Sequence, residues 1–213
     1  MMLNEYLVNP CSSLSIPYWK NKVVEIPQNI KIIHHSDFND ELLNAYYDER
    51  YFRLIHYLDN IDDKIPEGFS VRTADLTDIP LIVETINKCY SDLSVSYEQI
   101  LSYTKTKVYD NNLWILVYDD QTNNIIGCGI ADFDVEAKEG ILEWIQVLPE
   151  YRGRGVGKLI VSQLLKRMKK ADFATVSGKV DNATNPERLY RKCGFVGNDI
   201  WHILHKNIKN AER

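Results

Sequence analysis

One stretch of the chain gathers the residue types needed to hold an anion: Arg152-Gly-Arg-Gly-Val-Gly157-Lys158. It lies between a strand predicted from Ile141 to Leu148, ended by Pro149, and a helix predicted from Val156 to about Lys170. Along that helix Leu159, Ile160, Leu164, Leu165 and Met168 fall on one face. A glycine-rich turn opening a helix leaves several backbone N–H groups without intrahelical partners, all aimed at one spot. The helix dipole adds partial positive charge, and glycines let an anion come close to the backbone. Arg152, Arg154 and Lys158 add full charges, a construction suited to a pyrophosphate. A Walker loop needs Ser or Thr after its lysine, whereas Leu159 follows Lys158. A dinucleotide fold wants its glycines early in a βαβ unit, and these come late. Taken alone, the alternating glycines also fit a tight turn with no ligand.

The elements that must position this turn read as alternating strands and helices, hence an α/β architecture. Phe69 to Ala74 alternates apolar and polar residues as a strand does. Asp78 is the expected cap of a helix with Pro80 in its first turn, running through Ile82, Ile86 and Cys89. Ser96 to Thr104 is a second short helix. Leu113 to Tyr118 and Ile125 to Phe133 form a hairpin around Asp119–Asn124. Phe173 to Val180 is a strand, and Asn185 caps a helix from Pro186 to Cys193 that Gly194 ends. Phe195 to His205 closes the sheet, with a bend at Gly197. A polar linker from Asp59 to Gly68 separates an N-terminal extension (1–66) from the domain at 67–213. In the extension, Val23 to His35 reads as extended. Asp40 to Leu58 reads as an amphipathic helix whose apolar face, including Leu43, Tyr47, Phe52, Leu54 and Ile55, needs a cover from the chain or a second subunit.

Two segments together resemble one family. Arg152-x-x-Gly155-x-Gly157 following Val147-Leu-Pro-Glu-Tyr151 resembles the cofactor signature of the GNAT N-acetyltransferases. Leu189-Tyr190-Arg-Lys-Cys-Gly194-Phe195 resembles that family's Leu-Tyr-x-x-x-Gly-Phe element, in the right order. The resemblance covers about Phe69 to Lys206. It implies the GNAT fold: a mixed, twisted, mostly antiparallel sheet flanked by helices, here with an N-terminal extension.

The resemblance also implies roles. Acetyl-coenzyme A would be the co-substrate, its pantetheine arm against Ile145, Gln146 and Val147. Its pyrophosphate would sit on the turn Arg152, Gly153, Arg154, Gly155, Val156, Gly157 and Lys158. A backbone N–H near Val147 would polarise the thioester carbonyl. An acceptor amine would attack directly, Tyr190 giving a proton to the departing thiolate and Glu143 taking one from the amine, directly or through water. Asp132 and Asp134 rival Glu143. The family's cofactor-contacting asparagine falls here on Ala183, with Asn182 and Asn185 on either side; Asn182 is the candidate and Asn185 has its own use as a cap. A non-catalytic module that binds acyl-coenzyme A as a sensor or scaffold is the alternative, since the glycine turn serves both.

The bulk properties narrow the partners. The chain has 213 residues and a formal charge of −5, with no long basic run, which speaks against nucleic acid. Four scattered cysteines and five histidines show no metal-ligand spacing. No apolar run approaches the ~20 residues that span a bilayer, and no basic-then-apolar leader is present. The expectation is a soluble, cytoplasmic protein with free thiols.

Overall fold

The computed structural model describes residues 1–62, 64–91, 93–182 and 184–207. In chain order the elements are α1 (Leu3–Val8), α2 (Pro10–Ser13), α3 (Tyr18–Asn21), β1 (Ile30–His34), β2 (Tyr46–His56), β3 (Phe69–Thr73), α4 (Ile79–Cys89) and α5 (Tyr97–Tyr103). There follow β4 (Tyr109–Asp119), β5 (Asn124–Asp134), β6 (Glu139–Val147), α6 (Val156–Arg167), β7 (Phe173–Lys179), α7 (Pro186–Lys192) and β8 (Val196–Lys206). The chain divides into two compact units. The larger holds His56–Ala174 and Lys192–Gly194; the smaller holds Met1–Ile55, Thr175–Arg191 and Phe195–Arg213.

In the larger unit β3, β4, β5 and β6 pair in that order, each antiparallel to the next. Alternation along β4 and β5 sends Trp114, Leu116, Cys128 and Ile130 to one face, where they meet Ile79, Ile82 and Ile86 of α4 and Ile100 of α5. Ile79, Ile82, Ile86 and Ile100 are each 0 % exposed, and burial of such a side chain contributes about 1.5–3 kcal/mol. The other face carries α6, which lies on β4, β5 and β6. Gly127 and Gly129 of β5 let it settle. A Cβ on Gly129 would stand 2.5 Å from the Ile160 side chain and 3.0 Å from that of Leu164; one on Gly127 would stand 3.1 Å from Ile160.

Asp78 sits at the N-cap position of α4 as expected, with Pro80 in the first turn, but its side chain makes no capping bond. Its carboxylate instead receives the fork of Arg72, both N–H···O contacts at 2.6 Å, and the Asp75 N–H at 2.9 Å. The Arg72 guanidinium thereby holds the Asp78 carboxyl below its ordinary value.

In the smaller unit β8 runs between β1 and β2, antiparallel to both: His202 faces Ile33 on one side and Arg50 on the other. The interior is polar as well as aromatic. Arg53, 1 % exposed, donates to the Tyr6 hydroxyl at 2.7 Å and to Ser177 Oγ at 3.2 Å. Trp201 Nε1 donates to the Cys11 carbonyl at 2.7 Å.

Two expectations for the N-terminal segment are corrected. The helix expected from Asp40 to Leu58 is a 3₁₀ turn, Asp40–Asn44, followed by the strand β2. Tyr46, Tyr47, Tyr51, Phe52 and Ile55 suit a pleated surface, and pairing with β8 from Tyr46↔Lys206 onward overrides helical spacing. The continuous apolar face invoked for a second subunit is therefore absent: Phe52 and Leu54 are buried, while Leu43 and Tyr47 point outward. Of the extended stretch Val23 to His35, only Ile30–His34 is a strand. The short helices α1 to α3 went unpredicted, although Asn9 and Pro10 form a legible start for α2, with Asn9 Oδ1 accepting from the Ser12 N–H.

Candidate active site

The strand β6 brings two different phases of side chains to the site. Ile130 pairs with Trp144, yet Ala131 pairs with Leu142, so Glu143 is the extra residue of a β-bulge. Simple alternation would have set Glu143 on the face of Ile145 and Val147; the bulge breaks that rule and turns it independently of them. Glu143 is half-buried. Beyond the bulge the strand is regular. The Leu148 N–H donates to the Ile126 carbonyl at 2.9 Å. Ladder alternation therefore turns the backbone of Gln146 toward β5 and the backbones of Ile145 and Val147 away from it. The Gln146 side chain is also occupied, donating to the Tyr90 hydroxyl at 2.9 Å. Of the three strand residues expected to line the pantetheine arm, Ile145 and Val147 turn their backbones away from β5 and Gln146 turns its own toward it.

After β6 a 3₁₀ turn, Pro149–Tyr151, leads into the glycine loop. Gly153 has φ +80° and Gly155 has φ +87°, left-handed conformations that a side chain resists. A Cβ at either would meet nothing within 4 Å, so backbone conformation, not crowding, selects glycine here. Gly155 is the N-cap of α6 and has no side chain with which to fill its own helix end. The first bond of the helix runs from the Leu159 N–H to the Gly155 carbonyl at 3.0 Å. The N–H groups of Val156, Gly157 and Lys158 precede it and gather at one end of a twelve-residue helix. The loop is exposed from Arg152 to Gly155. These donors and this open space fit a pyrophosphate.

The three cations of the loop divide their work. Arg152 donates from Nε to the Val147 carbonyl and from its guanidinium to the Cys89 carbonyl, both at 3.2 Å. It thus pins the loop to the end of β6 and covers the last carbonyl of α4, a support role. Arg154 stands 5.0 Å over the Tyr151 ring. Lys158 pairs with Asp62 at 2.7 Å, a partner that sequence reasoning missed. The acidic linker was a visible signal, but a charge run between elements reads as solvated.

The remaining candidates are distributed as follows. Asp134 is 2 % exposed; its Oδ1 accepts from the N–H groups of Glu136 (2.9 Å) and Ala137 (3.4 Å), so it organises the β5–β6 turn. Asp132 is buried and faces Ile141 across the ladder. Burial raises the thiols of Cys89 and Cys128, and pushes Cys193 up to about 11. All three stay protonated at neutral pH, which disfavours a covalent acyl-enzyme.

Three candidates belong to the smaller unit. Tyr190 is buried in α7, its ring 6.2 Å from that of Phe52 and 5.7 Å from that of Phe195. Asn185 caps α7, its Oδ1 accepting from the Arg188 N–H at 3.3 Å. Asn182 Oδ1 closes a small turn on Thr184, accepting from N–H and hydroxyl at 2.9 and 2.7 Å. Ala183, between them, lies outside the described residues. Among the described residues no group of three or more His, Cys, Asp or Glu is arranged to hold a metal ion. No described helix is long and apolar enough to cross a membrane.

Residues 110–197, from β4 through the glycine loop to α7, match the sequence model described as the acetyltransferase (GNAT) domain. Over this stretch the chain resembles the GNAT acetyltransferases. Over 80 residues the chain is 34 % identical to the [ribosomal protein bS18]-alanine N-acetyltransferase of Haemophilus influenzae, a match covering 38 % of this chain and 53 % of that protein. The chain thus spans about half the length of this curated relative. The fold is that of solved GNAT structures. A GCN5-related N-acetyltransferase from Sphaerobacter thermophilus superposes with a TM-score of 0.67 at 19 % identity, covering 88 % of this chain and 63 % of that one. The ribosomal-protein-S18-alanine N-acetyltransferase of Escherichia coli gives 0.50 at 16 % identity, covering 68 % and 98 %.

Proposed function

We propose that this chain is a GNAT enzyme that transfers an acetyl group from acetyl-coenzyme A to a primary amine by direct attack. The observation that carries the reading is the exposed turn at Gly153 and Gly155, whose left-handed glycines open α6 and leave its first N–H groups to an incoming anion. Beside it, the backbone of Ile145 turned away from β5 supplies amide partners for a pantetheine arm laid along the strand, and the Val147 N–H is turned the same way.

In this reading the amine nitrogen bonds to the thioester carbonyl carbon, and negative charge collects on the carbonyl oxygen, where the Val147 N–H stabilises it. Glu143 takes the amine proton, directly or through water. Collapse breaks the carbon–sulfur bond, and Tyr190 gives its hydroxyl proton to the departing thiolate. The Tyr190 assignment rests on the Leu189-Tyr190 to Gly194-Phe195 sequence element. The bulge that frees Glu143 from the phase of its strand supports a working role for it, because bulges commonly re-aim side chains beside active sites.

The acceptor is proposed as the amine of a peptide or small molecule. The ribosomal-protein alanine named for the Haemophilus influenzae relative makes an N-terminal alanyl peptide the first acceptor to try. The test is calorimetric titration with acetyl-coenzyme A, followed by thiol release with that peptide and with free diamines. Binding with turnover supports the transferase. Binding without turnover on any amine leaves a sensor or scaffold, and no binding removes the cofactor. Tyr190→Phe is expected to lower kcat far more than cofactor affinity; equal losses in both refute the acid role.

A further inference from the structure

The linker after β2 is built rather than slack. His56 is 2 % exposed and packs on Gly194, where an added Cβ would come within 2.8 Å of its Nε2. Its Nδ1 accepts the Leu58 N–H at 2.8 Å. Burial holds the His56 imidazole below its ordinary value, which favours the neutral form able to accept that bond. The chain then turns through Leu58 at φ +61° and Asn60 at φ +51°. Left-handed backbone at a leucine is uncommon, and such conformations persist only where the surroundings impose them.

The product of these turns is the position of Asp62. Its Oδ2 accepts from Lys158 Nζ at 2.7 Å. That hydrogen bond holds the Asp62 carboxyl below its ordinary value and raises the Lys158 ammonium above its own. Lys158 is the third residue of α6, in the same turn as the open N–H groups. One ammonium thus stands at the glycine loop with a carboxylate already on it, and a phosphate oxygen needs the same place.

We propose that Asp62 is a built-in competitor for the phosphates of the coenzyme. The inference rests on the acyl-coenzyme A reading of the loop. Binding then exchanges the partner of Lys158, carboxylate out and phosphate in, with no proton transferred. Because Lys158 and Asp62 are 47 % and 50 % exposed, the exchange is cheap, and Asp62 tunes affinity without blocking the site. The competing idea is that Asp62 steers Lys158 toward the ligand. It predicts the opposite sign.

The experiment is calorimetric titration of coenzyme A into wild type, Asp62→Asn, Lys158→Met and the double variant. The expected result is a gain of about two- to fivefold in affinity for Asp62→Asn at low salt, shrinking as salt rises. Lys158→Met is expected to bind more weakly, and Asp62→Asn to add nothing in that background. An unchanged or weakened affinity in the Asp62→Asn single variant, beside a wild type that binds, overturns the competitor alone. The absence of binding in both wild type and Asp62→Asn sinks the cofactor reading and the competitor with it.

Discussion

The strand β6 has a turn at each end, and the two treat the same chemical problem in opposite ways. At its start, the hairpin between Asp134 and Glu139 carries its own anion: Asp134 Oδ1 accepts two backbone N–H groups of the turn. Beyond its end, the loop from Arg152 to Lys158 presents backbone N–H groups with glycines at the positions where a carboxylate would sit. The hairpin takes its left-handed residue at a lysine, Lys138 with φ +48°, whereas the loop uses Gly153 and Gly155. In the proposed function, the anion site is a turn from which the internal acceptor has been left out. The closed turn serves folding, and the open one keeps its donors for something else.

The largest expected effect comes from closing the open turn. Gly155→Glu sets a carboxylate beside the donors and forces a left-handed glutamate, so the affinity for coenzyme A falls by about a hundredfold or more in a titration. Opening the closed turn is next. Asp134→Ala leaves two N–H groups without their acceptor and is expected to cost about 1–3 kcal/mol in urea denaturation. Coenzyme A affinity stays unchanged in that variant; a parallel loss of binding would mean that the two turns are not independent. Arg154→Asp sharpens the comparison, because it offers the open loop a carboxylate of its own. It should weaken coenzyme A about tenfold, against about threefold for Arg154→Ala, and equal losses would reduce the effect to deletion of one positive charge. The smallest change is Lys138→Gly, which relieves the left-handed lysine and is expected to stabilise the protein by up to about 1 kcal/mol, read as a rise in Tm.

Most of the larger unit is written in local pattern. The period of α6, the hairpin around Asp119–Asn124 and the short helix α5 agree with the sequence because each depends on neighbours a few residues away. The glycine loop was legible for the same reason, since its donors come from one short stretch. What escaped depends on partners far along the chain. The segment Tyr46–His56 becomes a strand because β8, some 150 residues later, offers it an edge. The bulge at Glu143 exists only in the register with β5, so the face of that residue was not available from alternation. Arg152 reads as a phosphate ligand in the motif, and only the folded chain shows that it also reaches the Cys89 carbonyl. Gln146 likewise finds Tyr90 through the packing of α4. Sequence pattern thus names candidates for the site, and long-range pairing decides which of them already have partners in the fold.

Gly127 and Gly129 do more than admit a helix. The Ile160 and Leu164 side chains fill the volume that two β5 side chains would otherwise take, and the open N–H groups ride on the first turn of that same helix. The depth of α6 on the sheet therefore fixes the height of the donors as a key's shoulder fixes how far it enters a lock. A single methyl at Gly129, some way from the loop in sequence, would crowd Ile160 and Leu164; it is expected to lift the helix and, in the proposed function, to lower affinity for the coenzyme. In the proposed function, affinity at the rim is then adjustable from the floor, a route open to natural variation that leaves every signature residue of the loop intact.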